Sequence, residues 1–422
     1  MKSIELFAGA GGLGMGVSSA GFTPVEVIER DPYCCDTIRE NRRLGIRPVA
    51  DWPLVQGDVR VADFRRHEGK IALVTGGPPC QPFSIGGRHR AHDDARDMFP
   101  QAVRAVRETK PSAFIFENVK GLMRQTFKNY FEYIRLQMIH PEVVSRKDET
   151  WSDHLARLEQ HETSGSRAGL TYNVVTQLVN AADFGIAQKR ERVFFVGFRS
   201  DLEIAWSFPE PTHSADALAW DQYRDGSYWD GHGVGWRQRA VSERLRARAW
   251  KLGERPTARC WQTVRDAIGD LPDPERRRAK AGQIANHRFQ AGARSYAGHT
   301  GSPLDEPAKT LKAGVHGVPG GENMLLKPDD KVRYFTVRES ARLQSFPDDY
   351  VFHGSWSEAM RQLGNAVPVR LANIVAASVR QHLRGNGDRR PVQSARQAKS
   401  CPQHQGRADR PPHPRFASSV TL

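Results

Sequence analysis

The sequence lacks long apolar runs and holds few cysteines. None of its apolar stretches reaches the roughly 18 residues that a membrane-spanning helix needs, and the glycines of MKSIELFAGAGG come too early for a signal peptide. The five cysteines, at positions 34, 35, 80, 260 and 401, include no CxxC pair and match neither a disulfide framework nor a zinc site. We therefore expect a soluble protein of a reducing cytoplasm, without a membrane anchor or a metal.

Acidic residues are in the minority. The 422 residues include 62 lysines and arginines against 48 aspartates and glutamates, which gives a formal net charge of +14. Such a balance does not define a fold, but it favours a polyanionic partner, with nucleic acid ahead of a membrane surface. The length exceeds that of one ordinary domain, so we expect a large core domain and a smaller second unit.

Short β-rich runs alternate with helical patterns over residues 1–200. This alternation predicts an α/β fold with a doubly wound, mostly parallel sheet of Rossmann-like type, which binds ligands at the carboxyl ends of its strands. Strands are expected at residues 3–7, 25–29, 71–75, 114–117, 172–179 and 192–198, and a helix at residues 98–110.

The composition changes near residue 200. Six of the nine tryptophans follow it in a basic segment, so residues 201–335 are expected to form a smaller inserted domain. Helical patterns return within residues 336–384, at 336–346 and 369–383. Residues 385–422 hold few apolar side chains and cannot bury enough surface to offset their ordering entropy, so a disordered basic tail is predicted.

A glycine-rich turn follows the first predicted strand. Gly9, Gly11 and Gly14 satisfy GxGxxG in a strand–turn–helix context, where glycine lets the backbone turn tightly and approach a ligand. Glu29 ends the second strand, where a carboxylate accepts hydrogen bonds from ribose hydroxyls, and Asp58 is placed to receive an adenine amino group. These features fit a nicotinamide dinucleotide and S-adenosylmethionine equally well, and a purely structural turn is a third interpretation.

Four side chains capable of chemistry lie at the ends of predicted strands: Cys80, Glu117, Arg190 and Arg192. A lone cysteine is usually an inert small hydrophobe, but the prolines around Cys80 in TGGPPCQPFS fix the backbone. Such rigidity suits a nucleophile that must meet its target at a set distance. Because side chains alternate along a strand, Arg190 and Arg192 are expected to point to the same side.

A thiolate, a carboxyl group and fixed cations beside an adenosyl donor suit one reaction in particular. C5 of cytosine is a poor nucleophile, but addition of a thiolate to C6, with a proton at N3, turns the ring into an enamine that accepts a methyl group at C5. Hydride transfer needs none of these groups. S-adenosylmethionine is therefore favoured over a nicotinamide dinucleotide.

Eight strings occur in order along residues 1–384: ELFAGAGG, VIERD, GDVR, GGPPCQPFS, FENV, NAADFGIAQKRERVFFVG, RESARLQSFPDDY and QLGNAVPV. In this order and spacing the chain resembles the C5-cytosine DNA methyltransferases. The resemblance implies that Cys80 is the nucleophile and that Glu117 contacts N3 and the exocyclic amine of cytosine. It also implies that Arg190 helps to orient the site and that Arg192 holds the cytosine O2.

The same resemblance assigns the contacts to cofactor and DNA. Residues 336–384 would complete the catalytic and cofactor-binding domain of residues 1–200, while residues 201–335 would recognise the target sequence. The residues implied for S-adenosyl-L-methionine are Phe7, Gly9, Gly11, Glu29, Asp58, Pro79, Asn365 and Val367, and those implied for DNA are Gln81, Ser84 and Thr310.

Three positions depart from the commonest family pattern. Glu5 stands in place of an aspartate and Ala187 in place of a proline. Arg30 occupies a position where an aromatic residue often packs on adenine, so different adenine contacts are expected in this protein.

We therefore expect a DNA (cytosine-5)-methyltransferase that flips its target out of double-stranded DNA of a specific sequence. It is expected to act as a cytoplasmic monomer and to protect DNA from a cognate restriction endonuclease without forming a stable complex with it. The alternatives are an RNA cytosine-5 methyltransferase of the same fold, a non-catalytic DNA-binding regulator and a dinucleotide oxidoreductase.

Overall fold

A seven-stranded sheet organises the larger part of the chain. The computed structural model describes residues 1–79, 97–165, 169–297, 299–313 and 323–387. Within them, the sheet consists of β1 (Lys2–Leu6), β2 (Thr23–Glu29), β3 (Leu54–Gln56), β4 (Leu73–Gly76), β5 (Ala113–Val119), β6 (Tyr172–Asn180) and β7 (Glu191–Arg199). The spatial order is β3-β2-β1-β4-β5-β7-β6, and β7 alone runs in the direction opposite to the other six strands. Because the order reverses between β1 and β4, a crevice forms at the carboxyl ends of these strands.

Helices cover both faces of this sheet. The helices in the described part of the chain are α1 (Gly12–Ser19), α2 (Pro32–Arg43), α3 (Phe99–Thr109), α4 (Lys128–Ile139), α5 (Trp151–Thr163), α6 (Ala215–Tyr223), α7 (Ser227–Gly231), α8 (Glu243–Trp250), α9 (Val264–Ile268), α10 (Arg278–Ala281), α11 (Val337–Leu343), α12 (Trp356–Asn365) and α13 (Val369–Gly387). Helices α3, α4 and α5 pack on one face of the sheet, and α1 and α13 pack on the other. The sheet is doubly wound, as predicted. None of the described helices is both long and apolar enough to cross a membrane.

Strand β5 shows why the sheet needs two covering layers. Phe114 and Phe116 enter the core beneath α3 and α4, whereas Ala113 and Ile115 enter the core beneath α1 and α13. All four side chains are fully buried. A strand that is buried on both faces has a continuous apolar sequence, which is typical of a sheet with helices on both sides.

The predicted elements agree with the observed ones, with two differences at helix ends. The six predicted strands coincide with β1, β2, β4, β5, β6 and β7 to within two residues, and the helix expected at residues 98–110 is α3. The helix expected at residues 336–346 is shorter: α11 follows its cap residue Thr336 and ends at Leu343, since the chain turns through Ser345 with φ of 60°. The last helix extends to Gly387, three residues beyond the expected boundary at residue 384.

Residues 201–335 contain shorter elements around two small cores. Their strands are β8 (His213–Ser214), β9 (Arg259–Cys260), β10 (Ser302–Pro303), β11 (Met324–Leu326) and β12 (Val332–Tyr334). One core joins α6, α7 and α8 around Trp229 and Leu245. The other joins α9 and β11 to Ala187, just before β7, and to Leu343 of α11. This region therefore packs against the edge of the sheet domain, and its limits as a separate domain stay a prediction.

Helices α1 and α13 approach each other at the level of the backbone. A Cβ atom on Gly16 would lie 2.4 Å from Ala372 Cβ and 2.6 Å from Val369 O. A Cβ atom on Gly12 would lie 2.3 Å from Val367 O. Glycine at both positions therefore allows the C-terminal helix to lie directly on the helix that follows the glycine-rich turn.

Gly16→Ala should lower the free energy of unfolding by roughly 1–3 kcal/mol, because the added methyl group forces two packed helices apart. Gly231→Ala is the control, since a Cβ there would meet no described atom within 4 Å. The midpoint of urea unfolding, followed by circular dichroism, measures the difference. Equal midpoints for the two variants would mean that α13 can shift at no energetic cost.

Candidate active site

The turn after β1 holds a left-handed backbone conformation. Phe7, Gly9 and Gly11 have φ angles of 54°, 56° and 87°. Glycine adopts such angles without strain, but a bulky residue such as Phe7 does not, and strain of this kind concentrates at functional sites. The turn predicted to bind the cofactor is therefore present at the carboxyl end of β1.

Trp52 supports this turn from one side. Its indole is buried, donates from Nε1 to Ser18 Oγ at 3.2 Å, and lies 3.1 Å and 2.8 Å from where a Cβ would stand on Gly11 and Gly14. A Cβ on Gly9 would meet no described atom within 4 Å. The glycines thus differ in purpose: two of them allow packing on Trp52, whereas Gly9 leaves space for a ligand.

Glu29 joins this turn to the end of β2. Its Oε2 accepts a hydrogen bond from Gly9 N at 2.7 Å, and its Oε1 accepts from the backbone nitrogens of Arg30 and Asp31, each at 2.7 Å. A carboxylate can accept about four hydrogen bonds, so capacity remains for a ribose hydroxyl. The side chain therefore fixes two strand-end loops and can still contact a ligand between them.

Asp58 lies between two arginines. Its Oδ2 is 2.6 Å from Arg60 Nη2 and 3.5 Å from Arg30 Nη1. The hydrogen bonds from Arg60 lower the pKa of Asp58 to about 2, so this group is a carboxylate at neutral pH. Arg30, at the position where relatives often have an aromatic residue, keeps 72% of its side chain exposed.

The end of α12 borders the same turn. Asn365 is exposed, and Val367 is buried with its carbonyl against Gly12. An open glycine turn, a carboxylate at the end of β2 and a second carboxylate in the next loop fit S-adenosylmethionine. Among the described residues, no group of three or more His, Cys, Asp or Glu side chains is arranged to hold a metal ion.

Glu117 and Arg192 form a buried ion pair near the carboxyl end of β5. Arg192 Nε lies 2.8 Å from Glu117 Oε1, and the two side chains are only 10% and 8% exposed. Burial raises the pKa of Glu117, against the opposing charges of Arg192 and then Arg190. The carboxyl group is therefore held in place by the guanidinium of Arg192.

The loop that carries the predicted nucleophile begins beside this carboxyl group. A Cβ on Gly77 would lie 3.4 Å from Glu117 Oε2. The carbonyl oxygen of Pro78 accepts a hydrogen bond from Asn118 Nδ2 at 2.9 Å. The start of the loop is therefore anchored to the strand that carries Glu117, three residues before Cys80.

The rest of this loop lies outside the described residues. Pro79 is exposed, and its carbonyl oxygen accepts from Met98 N at 3.1 Å. Cys80, Gln81 and Ser84 follow Pro79 and are not among the described residues. The roles implied for these three residues stay predictions.

Arg190 is fully buried and bound by backbone carbonyl groups. Its Nη1 donates to Leu311 O at 3.0 Å, and its Nη2 donates to Gly364 O at 2.7 Å and Ala366 O at 2.8 Å. One guanidinium therefore ties the start of β7 to the inserted region and to the end of α12. Arg190 positions other parts of the site.

The side-chain directions at the start of β7 follow the predicted alternation. The charges of Arg190 and Arg192 both act on Glu117. Lys189 instead pairs with Glu306 at 2.7 Å. Of the two arginines, only Arg192 contacts the carboxyl group, because the guanidinium of Arg190 is already engaged by carbonyl oxygens.

Thr310 lies beside this strand, next to a residue that the sequence analysis missed. Thr310 Oγ1 donates to Lys189 O at 2.6 Å. Gln188, fully buried, accepts from Leu311 N at 3.0 Å and donates from Nε2 to Leu343 O at 3.2 Å. Gln188 belongs to the same string as the two arginines, which was the available signal. Trp52 was also missed, and it lies in none of the eight strings.

Two features separate this site from that of a dinucleotide oxidoreductase with a similar glycine turn. One is the buried carboxyl–guanidinium pair, and the other is the proline-flanked thiol whose loop begins beside it. The fold and the site are those of a Rossmann-like methyltransferase that uses S-adenosylmethionine as methyl donor.

The family described as C-5 cytosine-specific DNA methylase matches residues 1–140 and 152–381. The match covers most of the chain, which therefore belongs to this family. The protein is a DNA (cytosine-5)-methyltransferase, as predicted from the resemblance.

Named relatives align along most of the chain. Type II methyltransferase M.NgoMIV of Neisseria gonorrhoeae is 30% identical over 381 residues, which are 89% of this chain and 96% of the relative. Type II methyltransferase M.PspPI of Psychrobacter sp. (strain TA137) is 32% identical over 380 residues, 89% of this chain and 78% of the relative.

Solved structures share the fold at low identity. A DNA modification methyltransferase encoded within an E. coli prophage has a TM-score of 0.55 at 22% identity, covering 91% of this chain and 99% of that chain. The Dnmt2 methyltransferase of S. pombe has a TM-score of 0.52 at 16% identity, and the match covers 91% of this chain and 99% of that chain. These likenesses confirm the Rossmann-like fold class.

The raised pKa of Glu117 predicts an alkaline limit to activity. If the protonated carboxyl group serves the substrate, the rate of methyl transfer falls as the pH rises through this pKa. Arg192→Gln removes the main charge that lowers the pKa of Glu117. The pH at which the rate of methyl transfer falls should therefore be higher in this variant, even though its rate is lower. Single-turnover rates across pH measure this shift. Lys120→Gln, which removes an exposed cation paired with Glu191, should leave the pH of this fall unchanged. The same pH in Arg192→Gln as in the wild type would contradict the prediction.

Arg190→Lys should lower the urea midpoint and weaken S-adenosylmethionine binding together. A lysine ammonium cannot span three carbonyl groups, and each buried carbonyl left without a donor costs about 1–3 kcal/mol. Arg199→Lys, at the other end of β7 and paired with the exposed Asp201, is the control. Calorimetric titration with the cofactor provides the second measurement. Lower stability with unchanged cofactor affinity would mean that the hydrogen bonds of Arg190 do not shape the cofactor pocket.

Proposed function

We propose that this protein methylates C5 of a cytosine within a specific sequence of double-stranded DNA, with Cys80 as the nucleophile. The observation that carries the proposal is the buried Glu117–Arg192 pair at the start of the Cys80 loop. A carboxyl group of raised pKa at the start of a loop that carries a thiol is what activation of cytosine requires. A non-catalytic DNA-binding protein has no use for this arrangement.

The two side chains of this pair act on different edges of the base. Glu117 contacts N3 and the exocyclic amine. Arg192 uses Nε towards Glu117 and Nη1 towards Glu191 O at 2.8 Å. A guanidinium has five N–H donors, so Arg192 retains donors for the cytosine O2. Arg190 acts through the segments that it positions.

The chemistry then follows from these groups. The thiolate of Cys80 adds to C6 while the proton of Glu117 passes to N3, which makes C5 an enamine carbon. S-adenosylmethionine, when bound, supplies an electrophilic methyl group. Once C5 is methylated, its proton leaves to a base and the C6–S bond breaks with the electron pair returning to sulfur. The N3 proton returns to Glu117, so the thiolate and the acid are both regenerated.

The cofactor is held at the crevice between β1 and β4. The positive φ angles of Gly9 and Gly11 and the free space at Gly9 favour close approach of the methionine part of the cofactor to the backbone. The ribose is assigned to Glu29 and the adenine amino group to Asp58. Phe7 and Gly11 complete the methionine side, and Pro79, Asn365 and Val367 complete the pocket.

The target cytosine is swung out of the duplex, because its C5 cannot be reached inside the stack. Thr310, bonded to the backbone of Lys189, contacts the DNA near the flipped nucleotide, together with Gln81 and Ser84. Residues 201–335 select the sequence. The Type II designation of M.NgoMIV and M.PspPI supports a role in restriction–modification, in which a cytoplasmic monomer protects DNA from a cognate endonuclease without a stable complex.

Cys80→Ser should reduce methyl transfer by roughly a thousandfold or more while preserving DNA and cofactor binding, because a serine hydroxyl is hardly ionised near neutral pH. Bisulfite sequencing of plasmid DNA from cells that express each variant should reveal 5-methylcytosine at one sequence with the wild type and none with Cys80→Ser. Cys260→Ser, at a half-buried thiol of the inserted region, is the matched control.

A duplex with 5-fluorocytosine at the site so identified provides the direct test. Fluorine cannot leave C5 as a proton does, so the wild type should stay covalently attached in the presence of S-adenosylmethionine. Methylation of normal DNA without any such adduct, or comparable turnover by Cys80→Ser, would contradict the proposed mechanism.

A further inference from the structure

Residues 236–251, called here the basic arm, have the sequence WRQRAVSERLRARAWK. They hold six arginines and lysines against one glutamate. The arm consists of a short 3-10 helix at Trp236–Gln238, a connecting stretch and helix α8. None of its side chains takes part in the chemistry described above. Such a concentration of one charge on a surface element favours a polyanionic ligand.

Helix α8 presents a polar face to solvent. Leu245 and Ala249, one turn apart, are buried in the core around Trp229. With 3.6 residues per turn, Arg246 and Trp250 lie one turn apart on the neighbouring side of the helix, about 100° around its axis from Leu245 and Ala249. The side chain of Arg246 is 51% exposed, and Trp250 is 66% exposed. The inner face therefore anchors the arm, while the outer face is available to a ligand.

Part of the positive charge of the arm is not neutralised. Three arginines pair with carboxylates of other elements: Arg239 with Asp230, Arg244 with Glu306, and Arg248 with Asp216. Arg246 has an exposed partner, Glu243, at 2.8 Å. In the described part of the chain, Arg237 and Lys251 form no ion pair. Arg237 and Lys251 therefore carry charge without a carboxylate partner, and Arg246 shares its exposed side chain with one exposed glutamate.

Exposed indoles lie among these charges. Trp236 is 74% exposed, and the guanidinium of Arg237 lies 5.1 Å from the centre of its ring. Arg224 lies 5.0 Å from the ring centre of Trp250. A guanidinium stacked on an indole keeps its in-plane N–H groups free for phosphate oxygens.

A bridging carboxylate connects the arm to the catalytic edge of the sheet. Glu306 Oε2 accepts from Arg244 at 3.2 Å and from Lys189 at 2.7 Å. Lys189 immediately precedes Arg190, and its carbonyl oxygen accepts from Thr310. The arm therefore lies beside the segment that leads into β7, where a negatively charged substrate such as a DNA duplex can contact it.

We propose that the basic arm binds the phosphate backbone of the duplex beside the flipped cytosine, through Arg237, Arg246 and Lys251. This proposal rests on the proposed function, which makes duplex DNA the substrate. The arm supplies affinity that does not depend on sequence. Phosphates are favoured over base edges because these donors are exposed and no buried partner fixes them in the orientation that a base edge requires.

The double substitution Arg237→Gln and Arg246→Gln tests this proposal in the full-length protein. Its control is Arg43→Gln with Arg47→Gln, which removes the same charge from the end of α2 and the loop after it. The control is closely matched, because Arg43 pairs with a glutamate three residues earlier at 2.8 Å, as Arg246 does. All four side chains are exposed, so the fold should persist, and thermal melts verify this.

Fluorescence anisotropy with a labelled duplex of random sequence, about 30 base pairs long, measures binding over a series of salt concentrations. The dissociation constant of the arm variant should rise roughly tenfold at low salt. The slope of log affinity against log salt should fall by about 2, since each phosphate contact contributes about 0.9. The control should match the wild type. Methyl transfer at saturating DNA should stay within about twofold of the wild type, because the arm holds none of the reacting groups.

Three results would overturn the proposal. One is unchanged affinity and salt slope in the arm variant. Another is a loss confined to DNA that contains the methylated sequence, which would assign the arm to base reading. The third is unchanged DNA binding with loss of self-association in sedimentation, which would assign the arm to a second copy of the protein. If the wild type fails to methylate cytosine, the proposed function is wrong, and the binding assay still decides the role of the arm because it needs no turnover.

Discussion

The guanidinium of Arg190 is the interaction on which the arrangement of the site depends. The three carbonyl groups that it binds lie 121 to 176 residues further along the chain. Burial lowers the pKa of Arg190 well below its usual value, and the carbonyl groups bound by Nη1 and Nη2 offset part of the cost of burying this charge. The chain must therefore bring β7, the inserted region and the end of α12 together at once. The inserted region and the end of α12, to which the proposed function assigns DNA and the cofactor, are positioned relative to each other by this requirement.

Arg192, two residues later, is used in the opposite way. Its partner is a carboxylate, and the ion pair is buried near the carboxyl end of β5. A buried ion pair contributes little net stability once the loss of hydration is counted. In the proposed function its value is chemical, because it holds the carboxyl group of Glu117 beside the start of the Cys80 loop. The two arginines thus differ in their partners: Arg190 binds backbone carbonyl groups, whereas Arg192 binds a carboxylate.

Much of the fold could be predicted from the sequence, because its signals are local. The continuous apolar run of β5 and the glycine turn after β1 each depend on a few adjacent residues. The end of α11 was misplaced because the left-handed turn at Ser345, rather than the proline that follows, ends the helix. Trp52 was missed because an isolated aromatic residue in a loop has no periodicity.

The site was predicted less completely, for a different physical reason. Strand alternation places Arg190 and Arg192 on the same side, but it contains no information about their partners. The carbonyl groups around Arg190 come from segments whose positions depend on packing across the whole molecule. Asp58 and Arg60 both belong to the string GDVR, but the string does not show that the two side chains pair.

The packing of α13 on α1 has a consequence for synthesis. Leu13 and Val17 of α1 share their core with Leu371, Val375 and Val379, which the ribosome adds only after the whole sheet has been synthesised. Until then the apolar side of α1 that packs on α13 is uncovered, and a nascent chain is exposed to chaperones and proteases for most of its translation. A chain interrupted before α13 would keep this apolar surface exposed.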